Sequence, residues 1–166
     1  MTARAANSLG LLACVALLGY AYYAQFVLHL EPCPLCIFQR VGILAIGIAF
    51  ALAAALDPVS WGRKLYAAAI ALAALATVGI AARHLYIQSL PPDSVPACGA
   101  SLDWMLKVSP LPEVIVKVLT GSGECAKISW RMFGLSMPGW VLIAAVGLAL
   151  WGLWANLRRR PPVLRF

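Results

Sequence analysis

Charge is scarce in this chain. Only 11% of its 166 residues are charged, against about 25% in an ordinary soluble domain. That deficit excludes a chain folded wholly in water. Acidic residues are few, 6 against 13 basic ones, leaving a net charge of +7. That excess needs no nucleic-acid partner. The arginines cluster near the chain ends, where they serve more simply as topology signals and lipid-headgroup anchors. Internal repeats and low-complexity tracts are missing, apart from alanine enrichment in the apolar runs. The first apolar run ends on the bulky stretch Tyr20 to Leu30 without a small-residue cleavage site. It is therefore expected to be retained, not removed as a signal peptide.

What is abundant is apolar sequence, 63% of the chain, gathered in blocks. Four of them approach the roughly 20 residues that cross a bilayer as a helix. They cover about 8–30, 36–56, 65–87 and 138–157 of a single integral membrane domain over 1–166. Pro32 and Pro34 break the first junction and favour a new helix start. Asp57-Pro58 ends the second span, and Pro91, Pro92 and Pro96 end the third. The expected fold is an all-α membrane protein, a bundle of four transmembrane helices. The alanines, with Gly42, Gly47 and Gly79, would let the helices approach closely. Arg4, Arg63-Lys64 and Arg158 to Arg160 fall on one side of this arrangement. The positive-inside rule puts that side, with both termini, in the cytoplasm.

A long loop, about 88–137, then faces the other compartment. At about 50 residues it exceeds a plain connection. It is too rich in Trp104, Met105, Leu106 and the run Val114 to Leu119 to be a disordered tract. The segment from Leu111 to Leu119 reads equally as a helix on the membrane surface or as a packed cap over the bundle.

Cysteines number five. Cys14 lies within a span and reads as a small buried apolar residue. Cys33, Cys36, Cys98 and Cys125 all fall on the extracytoplasmic side, where oxidation favours disulfides. The run Glu31-Pro-Cys-Pro-Leu-Cys-Ile-Phe-Gln-Arg40 is the most informative. Its Cys-x-x-Cys is a dithiol that can open and close reversibly. Cys36 would sit in the first turn of a helix, where the dipole favours a thiolate, with Arg40 on the same face. A bridge between Cys33 and Cys36 closes a tiny loop and restricts little chain entropy, so it suits exchange better than stability. Cys98 and Cys125 could staple the loop. Zinc usually needs two closely spaced ligand pairs; Cys98 and Cys125 are far apart in sequence, so no metal is expected. Two pairs on one side of a membrane suggest a relay, one meeting a soluble partner and the other a lipid-soluble, two-electron acceptor such as a quinone. His84, near the end of the third span, would hydrogen-bond such an acceptor or serve only as an interfacial residue. Arg83 reads as an anchor, and Trp140, Trp151 and Trp154 as interfacial or packing residues.

These residues resemble the disulfide bond formation protein B family (DsbB), quinone-linked thiol oxidases of the bacterial inner membrane. The resemblance runs over nearly the whole chain, through Pro32 to Arg40, Cys98, Gly121-Ser-Gly-Glu-Cys-Ala126 and Gly134-Leu-Ser-Met-Pro-Gly-Trp140. Gln39 departs from relatives with an acidic residue there. The resemblance implies that Cys98 and Cys125 form the loop disulfide that oxidises a periplasmic DsbA-like oxidase, Cys98 being the atom attacked. It implies that Cys33 exchanges with the loop pair and that Cys36 engages ubiquinone or menaquinone beside Arg40 and His84. Two rivals are a vitamin K epoxide reductase type of thiol oxidase, which this cysteine arrangement fits less well, and a non-catalytic membrane assembly protein with structural disulfides.

Overall fold

A computed structural model describes residues 1–91, 105, 107–120, 123–128 and 130–158. Four long helices dominate it: α1 (Ala3–Phe26), α2 (Pro34–Leu56), α3 (Trp61–Ser89) and, after the loop, α6 (Met137–Leu157). Each is long and apolar enough to cross a membrane. Between α3 and α6 lie α4 (Leu111–Thr120), the single turn α5 (Gly123–Ala126), and two short strands, β1 (Arg131–Met132) and β2 (Leu135–Ser136).

Local chemistry sets the ends. Thr2 caps α1, its hydroxyl accepting from the Ala5 amide at 3.1 Å, so the helix begins before the apolar run does. It stops at Phe26, short of the expected Leu30, and His29 takes a positive φ of 52° in the connection. Pro34 occupies the first turn of α2, where its missing N–H costs no hydrogen bond. Asp57 ends α2 in the left-handed region at φ 39°.

The core of the bundle packs Cys14, Ile46, Phe50, Ile70 and Leu148. Phe50 needs two glycines. A Cβ on Gly10 of α1 would come within 2.6 Å of its ring, and one on Gly152 of α6 within 2.6 Å of Ile70 and 3.2 Å of Phe50. Gly42 and Gly47 also face neighbouring helices, at Thr77 and Cys14. Gly79 does not: its Cβ position is open, so close packing is not its role.

The end where α1 begins and α6 finishes is tied by polar contacts. Asn7 and Asn156, both buried, exchange side-chain hydrogen bonds of 3.1 and 3.0 Å. The Trp151 indole donates to the Ala6 carbonyl at 2.8 Å. Arg4 donates to the Ala54 and Ala55 carbonyls at the end of α2, and Arg63 to the Arg158 carbonyl at the end of α6. These guanidiniums thus satisfy helix C-terminal carbonyls and complement their dipoles, a role beyond the expected headgroup anchoring.

The opposite end is covered by the loop. Val114 and Val118 of α4 are buried with Leu35, Ile87, Met105, Cys33 and Cys125. Leu111, Ile115, Val116 and Leu119 point outward. Both expectations for this segment therefore meet in one helix: a packed cap whose other face is also apolar. Arg83 donates to the Leu119 and Thr120 carbonyls at 2.9 and 3.3 Å. It fastens the end of α4 to α3 rather than acting only as an anchor.

Candidate functional site

The site forms where α2 begins. Cys33 is the N-cap residue of α2, in extended backbone, and makes no side-chain cap bond. Cys36 lies in the first turn. One helical step brings the two sulfurs to 3.2 Å, Cys33 donating to Cys36. Cys33 is buried and Cys36 partly open.

Two residues distant in sequence, His84 and Cys125, converge on Cys33, and Gln39 of α2 meets the far side of His84. His84 comes from α3 and is 2% exposed; its Nε2 lies 3.7 Å from the Cys33 sulfur and 3.0 Å from the Cys125 carbonyl oxygen. Gln39, 3% exposed, places its amide nitrogen 3.1 Å from His84 Nδ1. The Cys33 sulfur, the Cys125 sulfur and a His84 nitrogen all lie within 4.8 Å of one another. A neutral imidazole has one donor and one acceptor nitrogen. Its neighbours select the tautomer. A proton on Nδ1 would leave the Nε2 lone pair facing the carbonyl oxygen of Cys125. A proton on Nε2 satisfies both contacts, with the Gln39 amide donating to Nδ1. His84 thus presents an N–H toward the Cys33 sulfur.

Cys36 and Arg40 open on a cavity of about 320 Å³ between α1, α2, α3 and α6, at the small end of the roughly 300–1,000 Å³ usual for ligand sites. Its walls include Leu17, Ile43, Trp130, Trp140 and Val141, and its polar lining includes Gln39 and His84. Arg40 does not reach along α2 alone. It donates to Gln25 Oε1 and to the Ala21 carbonyl (3.0 Å), and its guanidinium lies 5.2 Å from the Tyr22 ring centroid. Gln25 is an amide late in the apolar first span, a sequence signal for a polar partner at that depth. A hairpin closes one side. Arg131 pairs with Ser136 and Met132 with Leu135. Phe133 and Gly134 turn between them with φ of 52° and 80°, as a type I′ turn requires. Trp140 donates to the Met132 carbonyl at 3.2 Å, and Ser136 to Gln88 at 2.7 Å.

The family profile described as disulfide bond formation protein DsbB matches residues 3–155. The chain belongs to the DsbB family. Curated relatives named disulfide bond formation protein B agree. One from Nitrosococcus oceani is 49% identical over 146 residues, 88% of this chain and 86% of its own length. One from Chromobacterium violaceum is 47% identical over 148 residues, 89% of each chain. One from Xanthomonas campestris pv. campestris is 46% identical over 160 residues, 96% of this chain and 93% of its own.

Cys33, Cys36 and Cys125 stand together, and Cys36 borders the cavity. Arg40 and His84 line the same space. Cys98 lies outside the described residues. Cys14 is elsewhere, 1% exposed in the bundle core.

Proposed function

We propose that the protein reoxidises a periplasmic DsbA-like dithiol oxidase by thiol–disulfide exchange and passes the electrons to membrane quinone. The protein is an oxidoreductase of disulfide bond formation. The observation that carries the reading is the place of Cys36, which is 3.2 Å from Cys33 on one side and open to an apolar cavity on the other. A cavity of that size and lining fits the ring of a ubiquinone or menaquinone, with the Arg40 guanidinium as a donor to one of its oxygens and the His84 ring in the wall.

The steps balance as follows. A thiolate of the partner attacks Cys98 of the Cys98–Cys125 disulfide, and Cys125 leaves as a thiolate. The partner's second thiolate attacks its own sulfur in the mixed disulfide, and Cys98 leaves. The partner is now oxidised and the loop pair reduced. Cys125 then attacks Cys33 of the Cys33–Cys36 disulfide, and Cys36 leaves. Cys98 attacks Cys125, and Cys33 leaves as a thiolate facing the His84 N–H. The Cys33 and Cys36 thiols then return to the disulfide, for which a quinone held beside Arg40 would supply the two-electron, two-proton acceptor. The relay requires Cys33, Cys36, Cys98 and Cys125 to face the periplasm of the bacterial inner membrane, with both termini cytoplasmic.

The test mixes purified protein with a reduced DsbA-like oxidase and a short-chain ubiquinone and follows loss of quinone absorbance. Stoichiometric quinol formation with partner oxidation is expected. Without quinone reduction, the protein would be a non-catalytic assembly protein. A partner lacking its second cysteine should also accumulate as an adduct through Cys98 on non-reducing gels; absence of that adduct, or its persistence in Cys98→Ala, overturns the assigned roles.

A further inference from the structure

We propose that the fully reduced protein holds one zinc-class cation between Cys33, Cys125, His84 and Cys36, and that the bound ion arrests the relay. Sequence spacing argued against a metal, because Cys98 and Cys125 make no closely spaced pair, and Cys125 is also remote from Cys33. The fold removes that separation and adds a histidine. The sulfurs of Cys33 and Cys125 and a nitrogen of His84 all lie within 4.8 Å of one another, and all three residues are buried. The Cys36 sulfur, 3.2 Å from that of Cys33, supplies a fourth ligand.

A tetrahedral ion with Zn–S bonds of about 2.3 Å places its sulfurs about 3.8 Å apart. The 4.8 Å limit among Cys33, Cys125 and His84 and the 3.2 Å between Cys33 and Cys36 bracket that spacing; Cys36, outside the group of three, completes the set by rotating its side chain toward the ion. Three thiolates and one imidazole form one of the common structural zinc sets and select soft or borderline ions over magnesium or calcium. Each thiol releases its proton to solvent on binding. His84 must then offer Nε2 as a lone pair and carry its proton on Nδ1. Gln39 is placed for that switch. Turning its amide presents Oε1 to Nδ1–H, the outer-sphere partner that metal-bound histidines require.

The consequence follows from the ligands. Cys33, Cys36 and Cys125 are all consumed by coordination, so none is free to attack a disulfide. A disulfide at either pair removes at least one ligand and expels the ion. Metal occupancy is thereby tied to the reduced state, the state in which electrons have entered and not left. This reading stands apart from the order of relay steps, since it needs only the reduced cysteines.

The experiment uses the full chain in detergent, reduced with a phosphine and desalted without oxygen. Cobalt(II) and then zinc are added. One cobalt per chain is expected, with thiolate-to-metal charge transfer in the near ultraviolet and the intense visible bands of a tetrahedral site, both erased by zinc. X-ray absorption of the zinc-loaded parent should give three sulfurs and one nitrogen; two sulfurs would assign the ion to Cys33 and Cys36 alone and overturn the proposal. Against a competing chelator, Gln39→Leu should weaken zinc retention by roughly ten- to a hundredfold, and His84→Ala by more. Cys14→Ala should leave retention unchanged. Equal retention in His84→Ala and the parent, or equal binding by the oxidised protein, overturns it.

Discussion

At the scale of single residues, the site turns on which atom of His84 carries a proton. Gln39 and the Cys125 carbonyl together place it on Nε2. Nitrogen NMR of metal-free, histidine-labelled protein should show the Nε2–H tautomer at His84. Gln39→Glu, which can only accept when ionised, should bring a proton to Nδ1; unchanged ring-nitrogen shifts would remove Gln39 from the site. Arg40 makes a second case. Its hydrogen bonds run to α1, at Gln25 and Ala21, and its plane meets Tyr22, while it still borders the cavity shared with Cys36. Arg40→Ala should weaken use of quinone by about 1–3 kcal/mol, one to two powers of ten. Arg40→Lys should fall between, because a point charge lacks the planar donor fork. Quinone-reduction rates against quinone concentration measure this. Parent-like values in Arg40→Ala would reduce Arg40 to a clasp between α1 and α2.

At the scale of elements, the hairpin between α5 and α6 carries avoidable strain. Phe133 holds a φ of 52° and is 88% exposed. A bulky residue is disfavoured there, whereas Asn tolerates it and Asn-Gly suits a type I′ turn. Phe133→Asn should therefore raise stability by about 1 kcal/mol, read as a higher unfolding temperature in detergent. A lower one would show that the ring contributes more through its contact with Trp140 than the backbone loses. This hairpin also shows where sequence reading stops. The four long helices were legible because apolar blocks and proline breaks are local signals. A Phe-Gly turn lacks the usual turn residues, so the strands beside it were not. The convergence at Cys33 was illegible for another reason: His84 and Cys125 lie 51 and 92 positions away, and no local pattern encodes which helix faces meet. Arginines presented the same difficulty. Arg4 and Arg63 read as topology signals and Arg83 as an anchor, because sequence does not reveal which helix carbonyls they will meet.

At the scale of the whole molecule, the two ends of the bundle differ. One is tied by Asn7–Asn156, Arg4 and Arg63; the other bears Cys33, Cys36 and Cys125 under α4. If the tied end is cytoplasmic, an impermeant thiol reagent should label Cys98 in reduced, intact spheroplasts. Labelling only after the membrane is broken would invert the orientation. The position of Cys33 carries a mechanical consequence. It sits outside α2 as the cap, while Pro34 starts the helix and Cys36 lies one turn in. Making and breaking bonds at Cys33 therefore swings a side chain on a short hinge and leaves the rod behind it still. Electrons should cross this protein without a stroke: backbone amides along α2 beyond Arg40 are expected to exchange deuterium at the same rate in the oxidised and reduced states.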